Sequence, residues 1–371
     1  MIWYDNQQYQ EKCMKVMIAA GGTGGHIYPA LALADILKKK EPDSEIVFFG
    51  SGNRMEADVI PARGYRFFGR NMTGTNGGVK QKVKSVLSMA SAYVYCRKLL
   101  KEEKPDICVG FGNYISVPLI IAAHQMHIPV MLHEANSYAG KANVFLRKQA
   151  DAIVGCYESN LDQLGHEKTR ILGNPSASQA AEVTFDPQTL KQYGLDPDKP
   201  FVVIMMGSLG SSSVSKVLDE ACPLFDPDVQ ILIAAGKDNP YSFRYSGSGN
   251  IHIADYVNGQ EMLKGCTLAV TRAGATTMAE LGAIGCAAIL IPSPYVPNNH
   301  QYFNAMELVK KDAAVLLEEK DLTAGKLAGL VNELVKDPGK LEAMRENAGK
   351  CGCTDAADKM IEWMQELVHN G

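Results

Sequence analysis

The run Gly21-Gly22-Thr23-Gly24-Gly25-His26 brings together residue types that can hold an anion and move a proton. Glycines between a strand and a helix let backbone N–H groups approach a ligand at the helix's positive end. His26 is the only ionisable side chain in the run, and imidazole titrates near neutral pH, so it can take a proton from a hydroxyl. The pairing suggests a site where a diphosphate-bearing or sugar substrate meets a base. The alternative is a turn that only lets strand and helix pack tightly, and the run alone does not separate the two. A nicotinamide-binding loop is a third reading. The spacing around His26 departs from that fingerprint, although Glu45 lies near the place of its ribose-binding acid.

Further glycine- and polar-rich turns recur down the chain. Met206-Gly207-Ser208-Leu209-Gly210-Ser211 suits a phosphate through backbone N–H groups and Ser208 Oγ, or is a serine-rich helix cap. In Thr271-Arg272-Ala273-Gly274-Ala275-Thr276, Arg272 suits a phosphate, and Glu280, about two turns on, could accept both hydroxyls of a ribose. Taken singly, each also fits an ordinary surface side chain. Asn299-His300-Gln301 offers donors to sugar hydroxyls, or caps a loop. His133-Glu134-Ala135-Asn136 and Gly110-Phe111-Gly112-Asn113-Tyr114 each end a strand-like run. Several strand ends converging on the edge that carries His26 argue for a site more strongly than any one motif.

These turns need a scaffold of alternating strands and helices. Strand-like runs fall at 15–20, 45–49, 106–111, 129–133 and 151–155, with helix-like stretches at 28–40, 79–103, 116–126 and 140–149. After a polar stretch from Gly173 to Pro200 that reads as a linker, the alternation restarts. Strands are expected at 201–206, 229–234, 267–271 and 287–291, and helices at 211–225, 274–283 and 299–310. The pattern predicts an α/β chain of two doubly wound parallel sheets with a ligand cleft between them. The expected organisation is an extension at 1–13, one domain at 14–174, a second at 175–354 and a closing amphipathic helix at 355–371 that is free to cross back onto the first domain.

At 371 residues, 46% hydrophobic and 21% charged, the chain suits two globular domains. It has no run of about 18 apolar residues and no signal-peptide pattern. Nine cysteines without a paired framework suggest reduced thiols in cytoplasm, and no metal site is indicated. Residues 14–175 carry 20 Lys and Arg against 14 Asp and Glu, whereas residues 176–371 carry 16 against 25. The basic half suggests an anionic surface or substrate. Within 79–98, Val83, Val86, Leu87, Ala90, Tyr93 and Val94 share a helical face flanked by Lys80, Lys82, Lys84, Arg97 and Lys98. This pattern is either a helix lying on anionic lipid or a core-facing helix with a solvated basic side.

Together the motifs closely resemble the MurG family of bacterial cell-wall glycosyltransferases, from Met14 nearly to the C-terminus. The resemblance rests on Gly21 to His26, Arg54-Met55-Glu56-Ala57, His133 to Asn136, Gly173-Asn174-Pro175, Arg272 to Ala275 and Asn299-His300-Gln301. It implies a GT-B fold and inverting, metal-independent transfer of N-acetylglucosamine from UDP-N-acetylglucosamine to the muramoyl 4-hydroxyl of lipid I, making lipid II. The work is expected at the cytoplasmic face of the membrane. No cofactor is required and no nucleic acid is bound; the anionic inner membrane surface and other cell-wall proteins are the expected partners.

The resemblance also assigns roles. Glu280 would hold the ribose, the Val257 backbone would meet uracil, and Ser208 would close on the diphosphate. Ala275, Thr276, His300, Gln301 and Asn136 would hold the amino sugar. Thr23, Gly24 and Gly25 would cradle the acceptor diphosphate, with Tyr114 and Glu134 lining that pocket. His26 is the candidate base, with Glu134 in reserve. Met206, Ala177, Ala135 and Asn113 depart from the family's usual residues. Two other functions compete: a related diacylglycerol glycosyltransferase, and a UDP-sugar-binding protein without catalysis.

Overall fold

The computed structural model describes residues 13–74, 78–207, 212–236 and 239–370. Its strands are β1 (Lys15–Ala19), β2 (Glu45–Gly50), β3 (Arg66–Gly69), β4 (Ile107–Gly110), β5 (Val130–Glu134), β6 (Ala152–Gly155), β7 (Thr169–Ile171), β8 (Phe201–Met205), β9 (Gln230–Ala234), β10 (Ile251–Ala254), β11 (Leu268–Thr271), β12 (Ala288–Leu290) and β13 (Ala314–Leu316). They form a seven-stranded sheet of order β3-β2-β1-β4-β5-β6-β7 and a six-stranded sheet of order β10-β9-β8-β11-β12-β13. The paired registers are parallel, as in β1 with β2 (Lys15 to Glu45) and β8 with β11 (Val202 to Leu268). Both sheets are centred on apolar runs such as VMIA in β1 and FVVI in β8, which are buried on both faces, as a parallel sheet covered by helices requires.

Four strands escaped the sequence reading: β3, β7, β10 and β13. Each has only three or four residues, and several of their positions remain partly exposed, so the apolar signal is weak. The stretch 173–200 is not a bare linker. Asn174 caps the helix Pro175–Ala181 by accepting from Ser176 N at 2.9 Å, and that helix buries Ser176, Ala177 and Ala180. A 3-10 helix follows at Pro187–Tyr193, capped by Asp186.

By compactness the chain falls into two units. One holds the described residues up to His133, then Phe145–Ala152 and those from Ile361 onward; the other holds Glu134–Val144 and Ile153–Met360. In the first unit, Gln365 of the C-terminal helix donates to Glu41 Oε1 at 2.6 Å. In the second, the helices Ala324–Val335 and Pro338–Lys350 add Leu327, Val331, Leu341 and Met344 to the core over the six-stranded sheet.

The helix Val79–Glu103 turns Ala92, Cys96, Leu99 and Leu100 inward. Val83, Val86, Leu87 and Val94 face outward, the last three at 65–67% exposure. The core-facing reading of that stripe is therefore wrong: the buried face is the opposite one, which carries Ala92, Cys96, Leu99 and Leu100. Among the described residues no helix is long and apolar enough to cross a membrane.

Candidate active site

In the first unit the chain leaves β1 through a turn in which Gly22 has φ of 87°, a conformation that side chains other than glycine rarely adopt. Crowding adds a second requirement. A Cβ on Gly21 would lie 2.3 Å from Glu56 Oε1, and one on Gly22 would lie 2.3 Å from Asn113 Nδ2. Both neighbours hold the turn in place. Glu56 is fully buried, accepting from Gly22 N at 3.0 Å on one oxygen and from Ser51 N at 3.0 Å on the other. Asn113 donates to Gly21 O at 3.3 Å. One carboxylate and one amide thus lock the turns after β1, β2 and β4 together.

The helix that follows runs Gly24–Lys40, starting four residues earlier than the apolar pattern indicates. The early start corrects the reading of His26 as a loop residue, because His26 sits in the first helical turn. Thr23 is the extended N-cap, and its hydroxyl bonds His26 Nδ1 at 2.9 Å instead of a backbone N–H. First-turn N–H groups have no carbonyl within their helix, so those of Gly24 and Gly25 point toward an anion's place at the dipole's positive end. With Nδ1 engaged by Thr23, the imidazole has a set orientation.

Tyr114 lies beside this turn. Its backbone N–H donates to Asn113 Oδ1 at 2.6 Å, and the Arg54 guanidinium stands 5.9 Å from its ring centroid. Its hydroxyl is buried without a partner among the described residues, and burial raises its pKa. A buried donor of that kind suits a ligand oxygen. His133 packs its ring 4.9 Å from Phe111 in the interior.

In the second unit, Glu134 begins a tightly knit loop. It accepts from Asn136 N at 3.0 Å, Asn136 Nδ2 at 3.3 Å, Gly140 N at 2.8 Å and Asn143 Nδ2 at 2.9 Å. Burial pushes its pKa up while these donors pull it down, with burial the stronger. A carboxylate saturated by four donors organises its loop; this geometry suits it poorly as a base.

Asn304 joins that loop to others of the same unit. Its Oδ1 accepts from Ser137 N at 2.9 Å and Ser137 Oγ at 3.1 Å, while its Nδ2 donates to Asn136 Oδ1 at 3.2 Å and Ala273 O at 3.3 Å. The arrangement orients the Asn136 amide beside the turn after β11. That turn leads through Gly274, an extended N-cap, into the helix Ala275–Ile284. Thr276 Oγ1 is buried there without a partner among the described residues.

Glu280 faces the short helix Gly259–Gly265, where Gln260 Nε2 donates to its Oε1 at 2.9 Å. Burial raises the Glu280 carboxyl to about 7 against the opposing pull of Gln260. Val257, just before that helix, is buried. Arg272 does not reach out as a phosphate ligand. Its guanidinium is committed to Glu319 Oε2 at 2.6 Å and Ile291 O at 3.1 Å, and both side chains are nearly buried.

His300 and Gln301 open the helix His300–Val309 behind two consecutive left-handed residues, Asn298 (φ 54°) and Asn299 (φ 50°). Left-handed backbone in side-chain-bearing residues is costly and clusters at functional sites. Gln301 Oε1 accepts from Ser293 N at 2.8 Å, and His300 Nδ1 lies 2.9 Å from Pro297 O. Burial lowers the His300 pKa, which favours the neutral ring. Ser208 lies outside the described residues. Among the described residues no cluster of three or more His, Cys, Asp or Glu side chains is arranged to hold a metal ion.

Residues 16–154 match the glycosyltransferase family 28 N-terminal domain, and residues 201–360 match the family's C-terminal domain. A Lactiplantibacillus plantarum protein is 38% identical over 363 residues, covering 96% of this chain and 100% of the relative. Its name is UDP-N-acetylglucosamine--N-acetylmuramyl-(pentapeptide) pyrophosphoryl-undecaprenol N-acetylglucosamine transferase. A Listeria monocytogenes protein of the same name is 36% identical over 364 residues, covering 96% of this chain and 100% of the relative. The chain belongs to the MurG family within glycosyltransferase family 28. The crystal structure of Acinetobacter baumannii MurG superposes with a TM-score of 0.75 at 22% identity, covering 95% of this chain and 99% of that one. The likeness fits the two parallel, Rossmann-like sheets of a GT-B fold.

The MurG-family turns absorb this chain's departures in identifiable ways. Asn113 has φ of 64°, a left-handed value that asparagine tolerates better than most residues, and its side chain then reaches Gly21 O. Met206 is buried in the core over the six-stranded sheet, leaving Gly207 (φ 94°) to make the turn. Ala177 is buried in the helix Pro175–Ala181, and Ala135 is buried in the Glu134 loop.

Glu56 in the first unit, and Gln260 and Asn304 in the second, each brace the turns of their own unit and had no assigned role in the sequence reading. Glu56 lies inside the Arg54 to Ala57 motif and Asn304 three residues after the Asn299-His300-Gln301 motif, so a search for carboxylates or amides beside those motifs could have flagged them. Gln260 carries no sequence signal at all.

Proposed function

We propose that this glycosyltransferase moves N-acetylglucosamine from UDP-N-acetylglucosamine to the muramoyl 4-hydroxyl of lipid I, forming lipid II. The observation that carries the reading is full-length identity of 36–38% to transferases of that name. In the proposed reaction the 4-hydroxyl oxygen attacks C1 of the donor sugar from the face opposite the diphosphate. The C1–O bond to UDP breaks, its electron pair leaves with the diphosphate, and the anomeric configuration inverts.

His26 takes the hydroxyl proton, its ring oriented by Thr23. Thr23, Gly24 and Gly25 bind the acceptor diphosphate through the first turn of the Gly24–Lys40 helix, and Tyr114 donates its buried hydroxyl there. Ser208, with the N-terminus of the Ala275–Ile284 helix (Ala275, Thr276), stabilises charge growing on UDP. Glu280 holds the ribose, the Val257 backbone meets uracil, and Asn136, His300 and Gln301 contact the amino sugar. Glu134 shapes the Asn136 loop, and Arg272 braces the donor turn through Glu319. This chemistry calls for no metal, because N–H groups and helix dipoles carry the leaving-group charge.

The outward stripe Val83, Val86, Leu87 and Val94, with Lys80, Lys84, Arg97 and Lys98 on the same helix, supports docking on anionic lipid. The location that follows is the cytoplasmic face of the cell membrane, where other cell-wall proteins would be neighbours. The test is transfer of labelled sugar to a lipid I analogue, with UDP-glucose and diacylglycerol as competing donor and acceptor. Preference for diacylglycerol, or donor binding without transfer to any lipid, would replace the reading with one of its two rivals.

A further inference from the structure

Glu280 is a carboxylate with one hydrogen-bond donor among the described residues, the Gln260 side-chain amide at 2.9 Å. The two residues stand on different elements. Gln260 is the second residue of the helix Gly259–Gly265, which is anchored in the core by Met262 and Leu263. Glu280 is the sixth residue of the helix Ala275–Ile284, anchored by Met278 and Leu281. Packing fixes both backbones, and the amide–carboxylate bond fixes what remains, the rotation of the Glu280 side chain.

A carboxylate that accepts two neighbouring hydroxyls must present both oxygens to the diol in one plane. It has about four lone-pair sites, so Oε1 can keep the Gln260 bond while also accepting from a hydroxyl. We infer that Gln260 is a positioning residue for nucleotide recognition: its amide holds the Glu280 carboxylate in the orientation that selects a ribose over a deoxyribose donor. The inference rests on the proposed ribose role of Glu280 and adds to it the residue that makes the carboxylate selective. The amide also stabilises the charged carboxylate, the form that accepts two hydroxyls, in a setting where burial favours the neutral acid. Gln260 touches neither sugar nor diphosphate in this role, so its loss acts on donor affinity and leaves turnover of bound donor alone.

The test uses the full-length enzyme, a lipid I analogue and two donors, UDP-N-acetylglucosamine and its 2′-deoxyuridine counterpart. Gln260→Met keeps the side chain's length and removes the amide. The expected result is a roughly tenfold rise in KM for the ribose donor, equivalent to about 1.4 kcal/mol. Turnover at saturation should stay within about twofold, and the KM for the deoxy donor, which still offers Glu280 its 3′-hydroxyl, should rise less. Added to Glu280→Gln, the same change should have no further effect, as expected of two residues acting as one unit. Equal KM changes for both donors would overturn the inference, since a displaced helix at 259–265 would weaken any uridine nucleotide. So would an undiminished Gln260→Met effect in the Glu280→Gln background. Wild-type enzyme that transfers the sugar but does not distinguish the donors would overturn the ribose role itself, and with it the inference. Absence of any transfer would instead defeat the proposed reaction.

Discussion

Asn304 offers a sharp test of how the site is held. Replacing it by alanine removes the partner of four groups at once: the Ser137 N–H, the Ser137 hydroxyl, the Asn136 carboxamide oxygen and the Ala273 carbonyl. The two side-chain groups can rotate toward other partners. The Ser137 N–H and Ala273 carbonyl belong to the main chain, and both residues are buried. Leaving a buried main-chain group unsatisfied costs about 1–3 kcal/mol, so the pair accounts for about 2–6 kcal/mol. That loss falls on the segment 134–144 and the turn after β11. Hydrogen exchange followed by mass spectrometry reads it directly. At 1.4 kcal/mol per factor of ten, the Ser137 share of about 1–3 kcal/mol should lower protection of peptides spanning 134–144 by about 5- to 140-fold in Asn304→Ala. Asn136→Ala and Asn304→Ala should also be non-additive in kcat/KM, because the Asn136 amide is oriented through Asn304. Protection within about threefold of wild type, together with additive kinetics, would refute the hub.

Three further outcomes are expected. His26→Ala should lower turnover by about 10²- to 10⁴-fold with little change in donor KM, measured by sugar transfer; near-normal turnover would remove His26 as the base. The Glu280 carboxyl, raised to about 7 by burial, must lose its proton to accept two hydroxyls. Donor KM should therefore fall as pH rises through 7, and Glu280→Gln should flatten the profile. Because the folded state holds that proton more tightly than the unfolded chain, the protonated group's contribution to stability is complete below about pH 4.5 and is lost as pH rises through 7. Leu87→Glu and Val86→Glu place charge on a stripe at 65–66% exposure, so they should reduce sedimentation with anionic vesicles several-fold; turnover on a short-chain, soluble acceptor should not change.

Much of the architecture was legible because parallel strands buried on both faces leave apolar runs that need no context. β1, β2, β4 and β8 are of this kind. Edge strands β3 and β10 were not legible, since Arg66 and Gly69 leave only Phe67 and Phe68 between them and His252 interrupts Ile251 and Ile253. The start of the His26 helix was hidden by two glycines, which local propensity counts against a helix; in a first turn their N–H groups stay available for a ligand. The polar site was legible as motifs and illegible as bonds. Arg272 read as a phosphate ligand because nothing in its neighbourhood in sequence announces Glu319, 47 positions later. Glu134 read as a reserve base because its donors Gly140 and Asn143 become neighbours only when the loop closes on itself. Asn113 read as a departure from the family's usual residue, and its left-handed backbone and its bond to Gly21 O make it part of the turn.

The most direct test of the whole account is sugar transfer by the purified full-length protein, using radiolabelled UDP-N-acetylglucosamine and a lipid I analogue with no metal added and a chelator present. The expected product is a disaccharide-bearing lipid whose new linkage is inverted relative to the donor. Folded protein that binds the nucleotide sugar yet forms no such bond would contradict it.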